Sequence, residues 1–299
     1  MQGPEHPDTL TCMQNLATSY LNQGQYEDAG EVSQWTLGLC KRVLGLEHPQ
    51  TLTSMNNLAK TYSDKGKYEE VGVLQLKLLD LCKEVLGPEH PGTLTAMANL
   101  AVSYSKEGKY DEAEELELKV LDLGKKVLGP EHPGTLTAMA NLAVSYSKKG
   151  KYDEAEELEL KVLDLHQKVL GPEHPDTLVT MGNLAVTYGD QGRYEEAEEL
   201  ELKVLDLSQK VLGTEHPDTL ASMENLARTY LDQGKYDEAK VLQLKVIDLC
   251  KKVLGLEHPK TLTGMSNLAI IYVNQGKHEE AEKLDMEMSN SGIPANLAN

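Results

Sequence analysis

The dipeptide His-Pro returns every 42 residues along the chain, at His6, His48, His90, His132, His174, His216 and His258, with no insertion or deletion between occurrences. Two further markers keep the same step. Asn-Leu-Ala begins at Asn15, Asn57, Asn99, Asn141, Asn183, Asn225 and Asn267, and a glycine recurs at Gly24, Gly66, Gly108, Gly150, Gly192, Gly234 and Gly276. Self-similarity at a fixed period is the mark of a repeat architecture. The 299 residues are therefore an array of one small unit, and a length-based expectation of about two compact domains does not apply.

Residues 88–129 show what that unit must be. Pro91 suits the first turn of a helix, where its missing N–H costs nothing. Leu94, Met97, Leu100, Ala101 and Tyr104 follow at steps of three and four, one apolar stripe at helical period. Gly108 stands where a helix ends in a left-handed residue. Tyr110 opens a second helix whose first turns carry Asp111, Glu112, Glu114 and Glu115, complementing the positive end of a helix dipole. Its expected inward residues are Ala113, Leu116, Val120, Leu121, Leu123, Val127 and Leu128; Lys125 and Lys126 occupy the last turn and Gly129 closes it. The unit is a helical hairpin of roughly 17 plus 19 residues. A hairpin of that size cannot bury its own stripes, so neighbours must stack to form a continuous core. Composition agrees: the chain has no Phe and a single Trp, Trp35, and its large apolar residues are mostly Leu, which suits helix packing better than sheets.

The formal net charge is −19, from 48 acidic and 29 basic residues. A polyanion is repelled by nucleic-acid phosphates and by anionic membrane surfaces, so neither is an expected partner. No apolar run reaches 18 residues and no charged-then-apolar leader is present, so neither a membrane span nor a secretory signal is expected. Cys40, Cys82 and Cys250 share one slot of the repeat with Gly124, His166 and Ser208. A slot that accepts such different side chains reads as a tolerant helix surface. Equivalent slots in successive repeats lie beyond the ~7 Å reach of a disulfide, which points to free thiols in a reducing cytoplasm.

The run Asn-Leu-Ala-x-x-Tyr-x-x-x-Gly-x-Tyr-x-x-Ala, as in Asn99 to Ala113, resembles the tetratricopeptide repeat. The 42-residue period and the ending Leu-Gly-x-Glu-His-Pro resemble the narrower branch seen in kinesin light chains, nephrocystin-3-like proteins and the repeat tails of nucleotide-binding signalling proteins. The resemblance implies an all-α, right-handed superhelical solenoid of seven helix-turn-helix repeats. They would span about 4–45, 46–87, 88–129, 130–171, 172–213, 214–255 and 256–286, treated as one domain, with a tail over 287–299. Two departures stand out. Where relatives often carry an aromatic in the middle of the second helix, this chain has Glu117, Glu159 and Glu201, or Gln75 and Gln243, which suggests a looser contact between helices. The N-terminal coiled coil of kinesin light chains is not in this sequence.

The resemblance further implies a concave groove lined by the first helices and open to an extended peptide or partner protein. Its candidate lining is Asn15, Asn57, Asn99, Asn141, Asn183, Asn225 and Asn267, with Val102, Val144 and Val186 as a mildly apolar centre and Lys106 and Lys148 beside them. An amide both donates and accepts, so such a ladder suits a ligand backbone; the same amides could instead brace neighbouring helices. Groove lysines are scattered and interrupted by acids such as Asp190, Glu224 and Asp232, which favours a neutral or basic amphipathic segment over an acidic one. The repeated Glu-His-Pro triplets lie in successive loops and cannot converge on one metal, so they read as helix-start punctuation. The acidic stretch Glu112 to Glu117 reads as a solvated face. No phosphate loop, zinc motif or nucleophile grouping appears, so no catalysis and no cofactor are expected. The expected role is a cytoplasmic interaction scaffold. The alternatives are a sensor or oligomerisation arm of a larger signalling protein, or self-association through terminal repeats, since Met1 to Pro4 lie in an inter-repeat loop, Trp35 marks the first hairpin and the last helix fades after Leu284.

Overall fold

The computed structural model describes residues 6–290, and these hold fourteen α-helices and no strands. Seven first helices of 16 residues each begin at the His-Pro prolines: α1 (Pro7–Asn22), α3 (Pro49–Asp64), α5 (Pro91–Lys106), α7 (Pro133–Lys148), α9 (Pro175–Asp190), α11 (Pro217–Asp232) and α13 (Pro259–Asn274). The second helices are α2 (Tyr26–Val43), α4 (Tyr68–Val85), α6 (Tyr110–Val127), α8 (Tyr152–Val169), α10 (Tyr194–Val211), α12 (Tyr236–Leu254) and α14 (His278–Asn290). Most are 18 residues long, so both halves of the hairpin are a residue shorter than the pattern predicts.

The histidine is more than punctuation. At each of the seven starts it is the N-cap, and its Nδ1 accepts the backbone N–H two residues on, as in His90 to Gly92 at 3.0 Å and His216 to Asp218 at 3.2 Å. One of the helix's orphan donors is satisfied in this way, and proline at the next position removes another. The linker is clasped a second time. Thr93 is fully buried and its hydroxyl donates to the Gly87 carbonyl at 2.7 Å; Thr177, Thr219 and Thr261 repeat the bond to Gly171, Gly213 and Gly255 at 2.8 Å. Gly87 has φ of 94° and Gly108 of 77°, values that favour a residue without a Cβ. The Glu of Glu-His-Pro also bonds across the linker, Lys210 to Glu173 and Lys126 to Glu89 each at 2.8 Å.

The chain divides into two compact units, one ending at Gly150 and one beginning at Lys151, where the sequence reading treats one domain. The first holds α1 to α7. Each second helix packs on its own first helix and on the next one, and α1 also meets α3, as α5 meets α7. The second unit repeats the scheme over α8 to α14, with α9 against α11. Leu94, Met97, Leu100 and Ala101 are buried as the stripe predicts. Val127 is not: it is 40 % exposed, whereas Val120 and Leu121 earlier in α6 are buried. Helix α14 continues through Met286 and Met288 to Asn290, beyond the point where the sequence pattern fades at Leu284; Met288 and Leu284 pack on Met265 and Leu268. Of the expected 287–299 tail, residues 287–290 thus belong to α14. The expected opening loop at Met1 to Pro4 and residues 291–299 lie outside the described residues.

Candidate functional site

The first helices carry the candidate lining. In the first unit Asn15 is exposed and Asn57, Asn99 and Asn141 are half-buried on α1, α3, α5 and α7; Val102 and Val144 are 39 % and 37 % exposed, and Lys106 and Lys148 are exposed. In the second unit Asn183, Asn225 and Asn267 are half-buried on α9, α11 and α13, and Val186 is half-buried. Two of these residues are engaged by the protein itself. Asn99 Nδ2 donates to Asn56 Oδ1 at 2.8 Å, and Lys106 Nζ donates to Ser63 Oγ at 2.8 Å, each tying α5 to α3. At those positions the amide and ammonium brace the stack. Asn183 and Asn225 are placed differently: both line a cleft of about 210 Å³ in the second unit, with Leu178, Val179 and Val204 among its apolar walls.

Each unit buries polar groups on its second helices, Gln75 and Glu117 in the first and Glu159, Glu201 and Gln243 in the second. Glu117, Glu159 and Glu201 were expected at a loose contact or on a solvated face, yet they are only 3 %, 3 % and 2 % exposed. Ser145 donates its hydroxyl to Glu117 at 2.9 Å, and Ser103 donates to Gln75 at 2.6 Å, both across 28 residues. Thr187 and Thr229 stand in the same relation to Glu159 and Glu201. One oxygen each of Glu117 and Glu159 and both of Glu201 lack a hydrogen bond of normal geometry. Burial therefore pushes all three carboxyls up to about 7, against the opposing effect of the hydroxyl donors. The contact is close because a carboxyl fills the space an aromatic would take, and a small hydroxyl on the next helix meets it.

The cysteine slot needs the opposite correction to a tolerant surface. Cys40, Cys82 and Cys250 are 0 %, 4 % and 2 % exposed, and Ser208 is 1 % exposed. The slot faces the residue 14 positions on: Cys40 Sγ lies 3.3 Å from Ser54 Oγ, and His166 Nδ1 lies 2.9 Å from Thr180 Oγ1. Burial pushes the Cys82 and Cys250 thiols up, so neither is an activated nucleophile. Among the described residues no three His, Cys, Asp or Glu side chains converge as a metal site would need, and no helix is long and apolar enough to cross a membrane.

Stacked helical hairpins, each first helix carrying an asparagine at the same position, define a helical repeat protein. The chain belongs to the tetratricopeptide repeat family, whose description matches residues 12–71, 74–126, 99–166, 141–210, 190–252 and 225–287. Within that family it is kinesin-light-chain-like. It is 35 % identical to a structure from Podosopora anserina described as nearly identical TPR-like repeats of a kinesin light chain, over 69 % of this chain and 98 % of that one, with a TM-score of 0.55. BtubC (BKLC) from P. vanneervenii is similar at 18 % identity over 82 % of this chain and 92 % of that one, TM-score 0.57. NprR, solved in complex with its cognate peptide NprX, shares the fold at 17 % identity, TM-score 0.65, over 94 % of this chain and 78 % of that one. No curated protein matches.

Proposed function

We propose that the chain is a non-catalytic interaction scaffold that holds an extended peptide or a partner protein against its first helices. The observation that carries this reading is the register of the first-helix faces. Val102 and Val144 are exposed at equivalent positions of α5 and α7, each with an amide one turn before it (Asn99, Asn141) and a lysine one turn after it (Lys106, Lys148). Exposed valines at a fixed interval suit an extended chain, and Asn141 and Lys148 flank Val144 with polar groups, whereas Asn99 and Lys106 already tie α5 to α3. NprR, of the same fold, is described with its cognate peptide, which supports the reading by fold alone. Free and mostly buried thiols go with a cytoplasmic setting, and a net charge of −19 speaks against nucleic acid and anionic membranes.

Affinity capture with the intact chain tests it. A Val102→Asp/Val144→Asp variant, altered only at exposed sites, is expected to lose its partners while keeping its melting temperature. Partners retained by that variant but lost on Leu118→Asp, on the outward side of α6, would refute it. A second reading, self-association, is favoured by Trp35, which is 58 % exposed on α2. Light scattering decides it: a dimer that dissociates on Trp35→Ala supports it, and a monomer at all concentrations rejects it.

A further inference from the structure

The cleft between α9 and α11 singles out one place on the first-helix face and one chemistry for it. We propose that it is an anchoring subsite for a single aliphatic side chain of a lysine- or arginine-bearing polypeptide segment, an inference that rests on the first-helix reading above. Its apolar wall includes Leu178, Val204 and Leu212, and Asn183, Asn225 and Asp218 stand on its polar side. At about 210 Å³ it exceeds the ~150 Å³ apolar cavity known to take a benzene, so one leucine-sized side chain fits.

Gly182, on the wall of the cleft, occupies the position held by Ala98 and Ala140 in earlier repeats. A Cβ built on Gly182 would meet no atom within 4 Å, so the opening is real space beside the helix. An aliphatic group entering it would shed part of its water while its own backbone passes the Asn183 and Asn225 amides, each able to donate and accept.

Charge selects what accompanies that side chain. Helices α9 and α11 expose Asp176, Asp190, Asp218 and Asp232 and carry one cation, Arg228, with Glu224 half-buried and influenced by Lys260 of α13, whereas α5 and α7 carry only Lys106 and Lys148. His216 Nδ1 accepts the Asp218 backbone N–H at 3.2 Å and lies 3.7 Å from the Asp218 carboxylate. The second unit's face is therefore complementary to a cationic segment, and a short-range, salt-sensitive attraction follows.

An array of random ten-residue peptides probed with the intact chain tests this. Leu, Ile or Met beside Lys or Arg should be enriched among the binders. The strongest binder, resynthesised with a fluorophore, should bind about tenfold more weakly when its aliphatic residue becomes Ala. Gly182→Leu, which fills the cleft where nothing obstructs it, should weaken binding to the same extent with no loss of melting temperature, and Asp218→Asn should lessen the salt dependence. Acidic binders, no binders, or a Gly182→Leu chain that binds as well as the parent would overturn the subsite. Those failures, together with partners that still require Val102 and Val144, would leave the wider first-helix reading intact. Peptide effects that hold while the Val102/Val144 variant keeps every partner would do the reverse.

Discussion

Glu117, Glu159 and Glu201 give the interior an unusual charge behaviour. Glu117 faces the Ser145 hydroxyl and the like-charged Glu114; Glu159 faces Thr187, Glu156 and Asp190; Glu201 faces Thr229, Glu198 and Asp232, with Arg228 the only cation that lowers it. Each binds its proton more tightly folded, near 7, than at the ordinary 4.5. The stabilisation from that difference is complete below the ordinary value and is lost as pH rises through about 7. The parent chain should therefore melt at lower temperature at pH 8 than at pH 6. Replacing the three with Gln should flatten that slope and raise stability at pH 8, by up to roughly 3 kcal/mol per site. A triple variant less stable than the parent at pH 8, with the slope unchanged, would contradict this. Gln is a fair substitute because the chain already uses it at Gln75 and Gln243, which are also buried. The row was legible in principle: Ser33, Gln75, Glu117, Glu159 and Glu201 are each followed 28 residues on by a hydroxyl residue. Where that partner is Ile271, Gln243 turns instead to the Gly264 carbonyl at 3.0 Å. Single-helix periodicity is blind to it, because the pairing joins different hairpins.

The helices themselves follow almost directly from local rules, and their starts are the most testable part. His90→Ala should remove the side-chain acceptor for the Gly92 N–H and cost about 1 kcal/mol, whereas His90→Asp should keep most of the stability, since Asp is among the strongest caps. Thermal unfolding of the two variants side by side checks it; equal losses would mean the ring acts by packing alone. The linker clasp predicts a second effect. Thr93→Val keeps the shape but leaves the Gly87 carbonyl only its longer bond from the His90 N–H at 3.4 Å, and denaturant titration should show a loss of about 1 kcal/mol. Proline after histidine, the glycine at each helix end and the acid-first, lysine-last order of the second helices are all plain in the sequence. The histidine's role as acceptor is not, because the common caps are Ser, Thr, Asp and Asn. Nor is the buried state of the Cys40 slot, since a column of Cys, Gly, His and Ser looks permissive until Ser54 is set against Cys40 and Thr180 against His166.

At the scale of the whole chain, the 42-residue period dictates the hairpin, the hairpin dictates stacking, and stacking leaves positions such as Val102 and Val144 of the first helices exposed. The face itself was only partly legible. The positions of the Asn residues were evident, but whether an amide braces or waits for a ligand depends on its neighbour: Asn99 meets Asn56, while Asn225 stands opposite the space beside Gly182. Charge divides along the sequence as well, with lysines on α5 and α7 and acids on α9 and α11, so different stretches should prefer different segments of a partner. The claim that matters most is that partners sit on the first helices. A photo-reactive benzophenone side chain placed in turn at Val102 and Val179, and at Leu118 and Leu160 on the second helices, tests it directly, because all four positions are exposed. The account predicts crosslinks to a bound partner from Val102 or Val179 and none from Leu118 or Leu160; the opposite pattern would contradict it.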